Sequence, residues 1–304
     1  MTKRLIWKLS IRMFSGNEVI QLFRIHFNHE PSALELFKLS IKNYYSALNK
    51  EKLIIDLREK IELAEKKHQI LWRKKIHELK ETVKNYHFDN VANRAENAAV
   101  IVESRKHEDL EVIVKNVMSC LEPGWSLYIF HGTNNETYVK KTFSEAPQIN
   151  FISLETPTIN REQYSTLLKT PEFWKKIEAK KVLLFQTDSI MLKKGAESFL
   201  KYDYIGAPWN SKHFLSKTEV GNGGFSIRTK QTMIEISEKY KDDNLSEDVF
   251  YSKYCKINGY ALPTKKIAGS FCLENTITHP SPIAVHHPIL IPQRKLSKIL
   301  FGQA

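Results

Sequence analysis

Asp188 follows a short apolar run, Val182-Leu183-Leu184-Phe185, in the segment Gln186-Thr187-Asp188-Ser189. A carboxylate at the exit of a buried strand can hold a hard cation, because such ions take oxygen ligands. An aspartate in that place also reads as a turn former. Gln186 brings no full charge, so an ion site here has fewer anionic ligands than one built on two aspartates. Further on, Gly221-Asn222-Gly223-Gly224 precedes Phe225-Ser226-Ile227-Arg228. Glycines let a backbone approach a ligand closely, and Asn222 can bond to hydroxyls. The segment has neither the dinucleotide-binding nor the P-loop spacing, and a hairpin turn reads equally well. Glu247-Asp248 comes next, with Ser246 in the position of a helix cap. Acids there suit the helix dipole, and one of them can take a proton from an attacking hydroxyl. Asp248 is the preferred base and Glu247 the fallback. His286, beside His287, can complete a cation's coordination as a neutral imidazole or serve the structure. Trp209, after Ala207-Pro208, reads as an acceptor wall or as core.

The elements that must position these residues follow from apolar patterning. Residues 98–102, 126–130, 149–154 and 181–185 read as strands. Helices are expected over 110–121 (closed by Pro123-Gly124), 138–143 and 160–179, the last with a restart at Pro171. Such alternation predicts an α/β fold with a mainly parallel sheet and helices on both faces. Ligands of such sheets lie beyond the carboxyl ends of the strands. Glu103, His131, Glu155 and Asp188 all fall at those ends and are expected to converge on one crevice. The second half is less regular. It reads as helix over 195–202, a polar loop over 211–219, a strand over 224–228, and helices over 230–241 and 246–256. Four prolines between 280 and 292 argue for an extended tail.

Residues 1–94 have a different texture. Their only glycine is Gly16 and their only proline Pro31, and they alternate apolar and charged residues at helical spacing. An amphipathic helix is expected over 33–48. Over 51–86 a three-four pattern through Ile54, Leu57, Ile61 and Ala64 shifts phase to Trp72, Ile76, Leu79 and Val83, like a stutter in a coiled coil. The stripe can meet another helix of the same chain or a second copy as a homodimer, and periodicity does not separate the two.

Forty-six Lys and Arg against 34 Asp and Glu give a formal charge of +12, which favours anionic partners. The aromatics sit in apolar runs, not among the basic residues, which argues against nucleic acid. Cys120, Cys255 and Cys272 lack metal-type spacing, so a reducing, cytoplasmic setting is expected. The basic start lacks the apolar stretch of a signal peptide, and no run is long enough for a spanning helix. Its charge leaves peripheral contact with a membrane open.

The run from Val182 to His287 resembles an uncharacterised family placed among the GT-A-type glycosyltransferases. The resemblance rests on Gln186-Thr187-Asp188-Ser189, then Tyr202-Asp203-Tyr204-Ile205-Gly206-Ala207-Pro208-Trp209, Gly221 to Arg228, Glu247-Asp248-Val249-Phe250 and Val285-His286, in that order. It implies a GT-A-like, Rossmann-like domain, placed over 95–292 by the strand-helix alternation; residues 1–94, which the resemblance does not cover, read as a helical extension and 293–304 as a tail. It further implies a nucleotide-sugar donor, a glycan or other hydroxyl acceptor, and Mn2+ or Mg2+. Asp188 matches the last carboxylate of the GT-A Asp-x-Asp element, with Gln186 in place of the first. Asp248 matches the base of inverting members, and His286 the late metal-binding histidine. Donor and acceptor contacts are expected from Glu103, Gln186, Trp209, Asn222, Gly223 and Gly224. The competing expectations are a sugar- or nucleotide-binding module without catalysis, which Gln186 favours, and a nucleotidyltransferase.

Overall fold

A computed structural model describes residues 50–209, 213, 215–240, 244–289 and 291–302, with side chains from residue 66 onward. The chain divides into two compact units, Met1–Trp72 and Arg73–Ala304. Helix α1 (Lys50–Thr82) begins in the first and ends in the second. Within the second unit its Ile76 and Leu79, and Val83 just past its end, are buried; these are three positions of the shifted stripe. The helix expected over 33–48 lies outside the described residues.

The second unit is built on β1 (Asn97–Val102), β2 (Ser126–His131), β3 (Asn150–Ser153) and β4 (Lys181–Phe185), which are mutually parallel. With β6 (Tyr204–Pro208) and β7 (Val220–Thr229) they form one six-stranded sheet in the order β3-β2-β1-β4-β7-β6. Only β7 runs against the rest. The helices between them are α2 (Leu110–Cys120), α3 (Glu136–Thr142), α4 (Arg161–Leu168) and α5 (Pro171–Lys175), followed by α6 (Lys230–Lys239) and α7 (Glu247–Ile257). The expected architecture, a mixed α/β fold with a mainly parallel sheet flanked by helices, is the one observed.

Strands β1, β2 and β4 lie inside the sheet and are covered on both faces, which is why they read as near-continuous apolar runs. From one face Ala98, Val100, Val102, Tyr128, Phe130, Val182 and Leu184 enter a cluster with Leu168, Phe173, Trp174, Met233, Phe250 and Tyr251. Asn160 opens α4 with a reciprocal cap to Gln163, and Pro171 starts α5 at the expected restart.

Three differences from the sequence reading bear on the site. The glycine segment does not precede a strand; it is the first half of β7, whose pairing with β6 is irregular between Ile205 and Pro208. A hairpin turn is thereby replaced by a strand that only glycine allows to come so close. A Cβ on Gly206 would land on the Asn222 carbonyl, and one on Gly221 would lie 2.7 Å from Ser252 Cβ. The proline-rich end is not simply extended: β9 (Ala284–His286) pairs between β5 (Ser189–Met191) and β8 (Cys272–Leu273) in a second sheet. Lys265–Phe271 and Gln293–Phe301 are helices, α8 and α9. The helix expected over 195–202 is a single 3-10 turn, Ala196–Phe199.

Candidate active site

Beyond Phe185 the chain leaves the main sheet through Gln186-Thr187-Asp188 and at once enters β5 of the small sheet. There Ser189 stands opposite His286 of β9. That register brings two residues about a hundred positions apart side by side. His286 Nε2 lies 3.3 Å from Asp188 Oδ1 and 3.1 Å from Gln186 Oε1. On its other edge, His286 Nδ1 is 3.4 Å from Glu274 Oε2. The His287 backbone amide donates to the Asp188 carbonyl at 3.1 Å, and its ring Nδ1 is 3.0 Å from Asp188 Oδ2. His287 takes a positive φ of 41°, a conformation that favours glycine and that costs a histidine strain.

The glycines of β7 border both this cluster and the acidic pair. A Cβ on Gly224 would land on the His286 ring; one on Gly223 would land on Glu247 Oε1 and lie 3.0 Å from Asp248 Cβ. Consecutive strand residues face opposite ways, so His286 and the acids lie against opposite sides of one strand end. Among the described residues, no hydrogen bond or ion pair joins the two halves. Tyr164 is within electrostatic reach of both: burial and the Glu247 carboxylate raise the pKa of its hydroxyl, the Gln186 side chain and Arg228 lower it, and the Asp188 charge also reaches it. That hydroxyl is buried without a hydrogen-bond partner.

Glu247 and Asp248 differ sharply. Glu247 is buried, and Arg228, itself fully buried, grips both its oxygens at 2.6 and 3.2 Å. Burial opposes the guanidinium charge, but Glu247 outweighs it and raises the Arg228 pKa. Asp248 is part-exposed; its Oδ1 accepts from Ser246 Oγ at 2.7 Å and from the Val249 amide at 2.8 Å. Thus Ser246 stands at the expected cap position, but its hydroxyl holds Asp248 rather than the helix amides. Oδ2 of Asp248 keeps no partner among the described residues.

Asn222 is buried, and its Oδ1 accepts from Trp209 Nε1, which fixes the amide and leaves Nδ2 buried without a partner. Trp209 itself is buried, with its ring 4.5 Å from that of His213. Glu103 emerges beside Thr187, whose hydroxyl donates to it at 3.4 Å, and is clasped by Arg105. His131 is buried and Glu155 exposed at their strand ends; among the described residues no hydrogen bond or ion pair ties either to Asp188.

Sequence reasoning missed Arg228, Glu274, Tyr164 and Arg105. Arg228 had a signal: a lone cation inside an apolar strand, with an acidic pair after it, asks for a buried partner. Glu274, just past a two-residue strand, had none.

A cation would meet one carboxylate, one or two imidazoles and a neutral amide oxygen here. Among the described residues, no group of three or more His, Cys, Asp or Glu is arranged to hold a metal ion. The donor set therefore suits an ion shared with substrate oxygens, as Mg2+ commonly is, better than a closed protein cage. Without an ion, the site carries its own charge pairing. Burial lowers the His286 pKa, but Asp188 and then Glu274 outweigh it and raise it to about 10. Burial would raise the Asp188 pKa; the two histidines overcome it and hold it well below the carboxylate range.

A pH dependence of metal-free stability follows from linkage. The histidine contribution is full below the unfolded value of 6.5 and is lost as pH rises through about 10. The aspartate contribution is present above an unfolded value of about 3.9 and is lost as pH falls through its depressed folded value. Melting temperature in chelator should therefore be highest between about pH 4 and 6.5 and decline toward pH 10. His286→Gln should flatten the alkaline decline. An equal decline in that variant removes the histidine as its source.

Residues 148–286 match a family described as a protein of unknown function (DUF5672). No curated protein matches the chain. Among solved structures, a mannosyltransferase, PcManGT from Pyrobaculum calidifontis in complex with GDP-Man and Mn2+, is similar at 10% identity and a TM-score of 0.42. The similarity covers 67% of this chain and 65% of that one. A 4-diphosphocytidyl-2C-methyl-D-erythritol synthase from Anaerococcus prevotii is similar at 13% identity and a TM-score of 0.39, over 54% and 83% of the two chains. Likenesses this distant carry no weight for activity. No helix among the described residues is long and apolar enough to cross a membrane.

Proposed function

We propose that this chain is an inverting glycosyltransferase that moves a sugar from a nucleotide-sugar donor to an acceptor hydroxyl. The observation that carries the reading is the meeting of Asp188 and His286 at the end of β4, against a strand whose Gly223 and Gly224 make room for Asp248 and His286. Four motifs far apart in sequence thus border one strand end.

The acceptor hydroxyl attacks the anomeric carbon, and its proton passes to Asp248 Oδ2, the oxygen that the helix start leaves unused. The bond from that carbon to the donor diphosphate breaks, and the leaving group carries the electron pair away as anionic charge. Asn222 Nδ2 and the Tyr164 hydroxyl are buried polar groups that want partners, and sugar hydroxyls supply them. Trp209 orients Asn222, and Arg228 holds Glu247 so that Asp248 stays at the helix start. A divalent cation, Mn2+ or Mg2+, would neutralise the diphosphate; Asp188 and His286 would hold it, with Gln186 Oε1 as a neutral oxygen. His286 gives up its proton to do so.

Thermal-shift titration with UDP-, GDP-, CMP- and dTDP-sugars, each with and without Mn2+, tests this reading. One donor is expected to raise the melting temperature, more so with the ion, and to yield a glycosylated product when acceptor is added. A shift without product in any acceptor screen points to a binding module. Pyrophosphate release from a nucleoside triphosphate and a sugar phosphate points to nucleotidyl transfer.

A further inference from the structure

The partnership of Ile101 with Phe185 in the β1–β4 register makes Glu103 and Thr187, two residues further along, emerge side by side at the crevice. Glu103 is 5% exposed, yet it spends its charge on a residue that is not buried. Its Oε1 accepts from the Arg105 amide at 2.8 Å and from Arg105 Nε at 2.9 Å, and its Oε2 accepts from Arg105 Nη2 at 2.8 Å. The backbone is held as firmly. Asn135 Nδ2 donates to the carbonyls of both Glu103 and Arg105 at 2.9 Å, while Asn135 Oδ1 accepts from the Gly132 amide. The Arg105 side chain nevertheless remains 66% exposed. Its Nη1 has no partner among the described residues.

An exposed arginine ordinarily loses rotamer entropy when it grips a ligand. Here that loss is already met by the fold, and one edge of a planar fork is fixed while the other is presented. Such an edge suits a group with paired anionic oxygens. Glu103 first, and Asp188 further off, hold the Arg105 pKa above its ordinary value, so the cation lies within electrostatic reach of the Asp188 side of the crevice. Gln186 leaves that side with one carboxylate fewer to hold an ion, so a fixed cation nearby would help to retain a diphosphate.

We propose that Arg105 is a phosphate-binding residue of the crevice, taking the diphosphate of the nucleotide donor, with Glu103 positioning it rather than touching the donor. The inference rests on the nucleotide-sugar reading above.

Calorimetric titration of the full chain with inorganic pyrophosphate, UDP and GDP, and with uridine and guanosine as phosphate-free probes, tests it. Arg105→Ala is expected to weaken binding of pyrophosphate and of the preferred nucleoside diphosphate roughly 10- to 100-fold, with nucleoside binding unchanged; melting temperature should fall as well, because Glu103 is left buried without its cation. Arg105→Lys should fall between, because a point charge cannot reproduce the fork. Glu103→Gln should weaken pyrophosphate binding less, and should change it no further in the Arg105→Ala background. If the wild-type chain binds and Arg105→Ala binds as tightly, the inference fails and the proposed function stands. If the wild-type chain binds none of the probes, with or without Mn2+, the inference fails, and the donor titration above decides the proposed function separately.

Discussion

Arg228→Ala is expected to lower the free energy of unfolding by about 3–5 kcal/mol. The guanidinium is fully buried and forked onto Glu247, whose side chain is 8% exposed. Its Nε donates to Ser226 Oγ at 2.9 Å and its Nη2 to the Gly223 carbonyl at 3.3 Å. The Tyr204, Tyr251 and Trp174 rings surround it at 4.8, 5.6 and 5.8 Å. Taking two such charges out of water is costly, and the pair is not in itself a source of large net stability. Its removal by halves is what destabilises: without Arg228, a carboxylate is left buried with nothing to neutralise it. Urea unfolding followed by circular dichroism would read this as a lower midpoint with an unchanged slope. Replacing both partners together, Arg228→Met with Glu247→Leu, should recover much of the loss. If Arg228→Ala unfolds at the wild-type urea concentration, the pair does not fasten β7 to α7. The consequence reaches the site, because Asp248 is the next residue after Glu247 and its backbone depends on the same clamp.

That clamp also shows why part of the molecule was legible in the sequence and part was not. Strands β1, β2 and β4 are short runs buried on both faces, and a run of apolar residues bounded by helical segments has few other readings. Asn160 and Pro171 mark helix starts by local chemistry that no distant residue can override. The small sheet had no such signal. Its strands are two or three residues long, and β9 is a strand only because β5 and β8 lie on either side of it. Prolines on both flanks of β9 made the segment read as extended tail. In β7 the glycines, which locally suggest a turn, are instead required by close approach: a Cβ on Gly221 would meet Ser252, one on Gly223 would meet Glu247, and one on Gly224 would meet the His286 ring. Single residues such as Asp188, Asp248 and His286 could be named from type and position. The partners that determine what they can do, namely Glu274, Arg228 and Tyr164, are brought in by tertiary packing, which spacing along the chain does not encode.

Asp248→Asn is expected to reduce kcat for sugar transfer by roughly 10²- to 10⁴-fold, the usual contribution of a positioned general base, while leaving the KM for the donor near its wild-type value. The substitution is chosen to spare the fold. Oδ1 of Asp248 accepts from the Ser246 hydroxyl and the Val249 amide, and an asparagine carbonyl can accept both. Only the oxygen without a protein partner loses its ability to take a proton. The companion change, Asp188→Asn, is expected to act differently. It removes the carboxylate beside His286 Nε2, so the donor-induced thermal shift and its dependence on Mn2+ should both shrink, and turnover should fall through weakened donor binding as well as a slower step. The two variants therefore separate the halves of the site that lie on opposite sides of the β7 strand end: Asp248→Asn should bind donor and fail to transfer, and Asp188→Asn should fail to hold it. An Asp248→Asn enzyme that turns over at the wild-type rate would move the base elsewhere. Since Glu247 has both oxygens committed to Arg228, the remaining carboxylate at that helix start would not be the replacement.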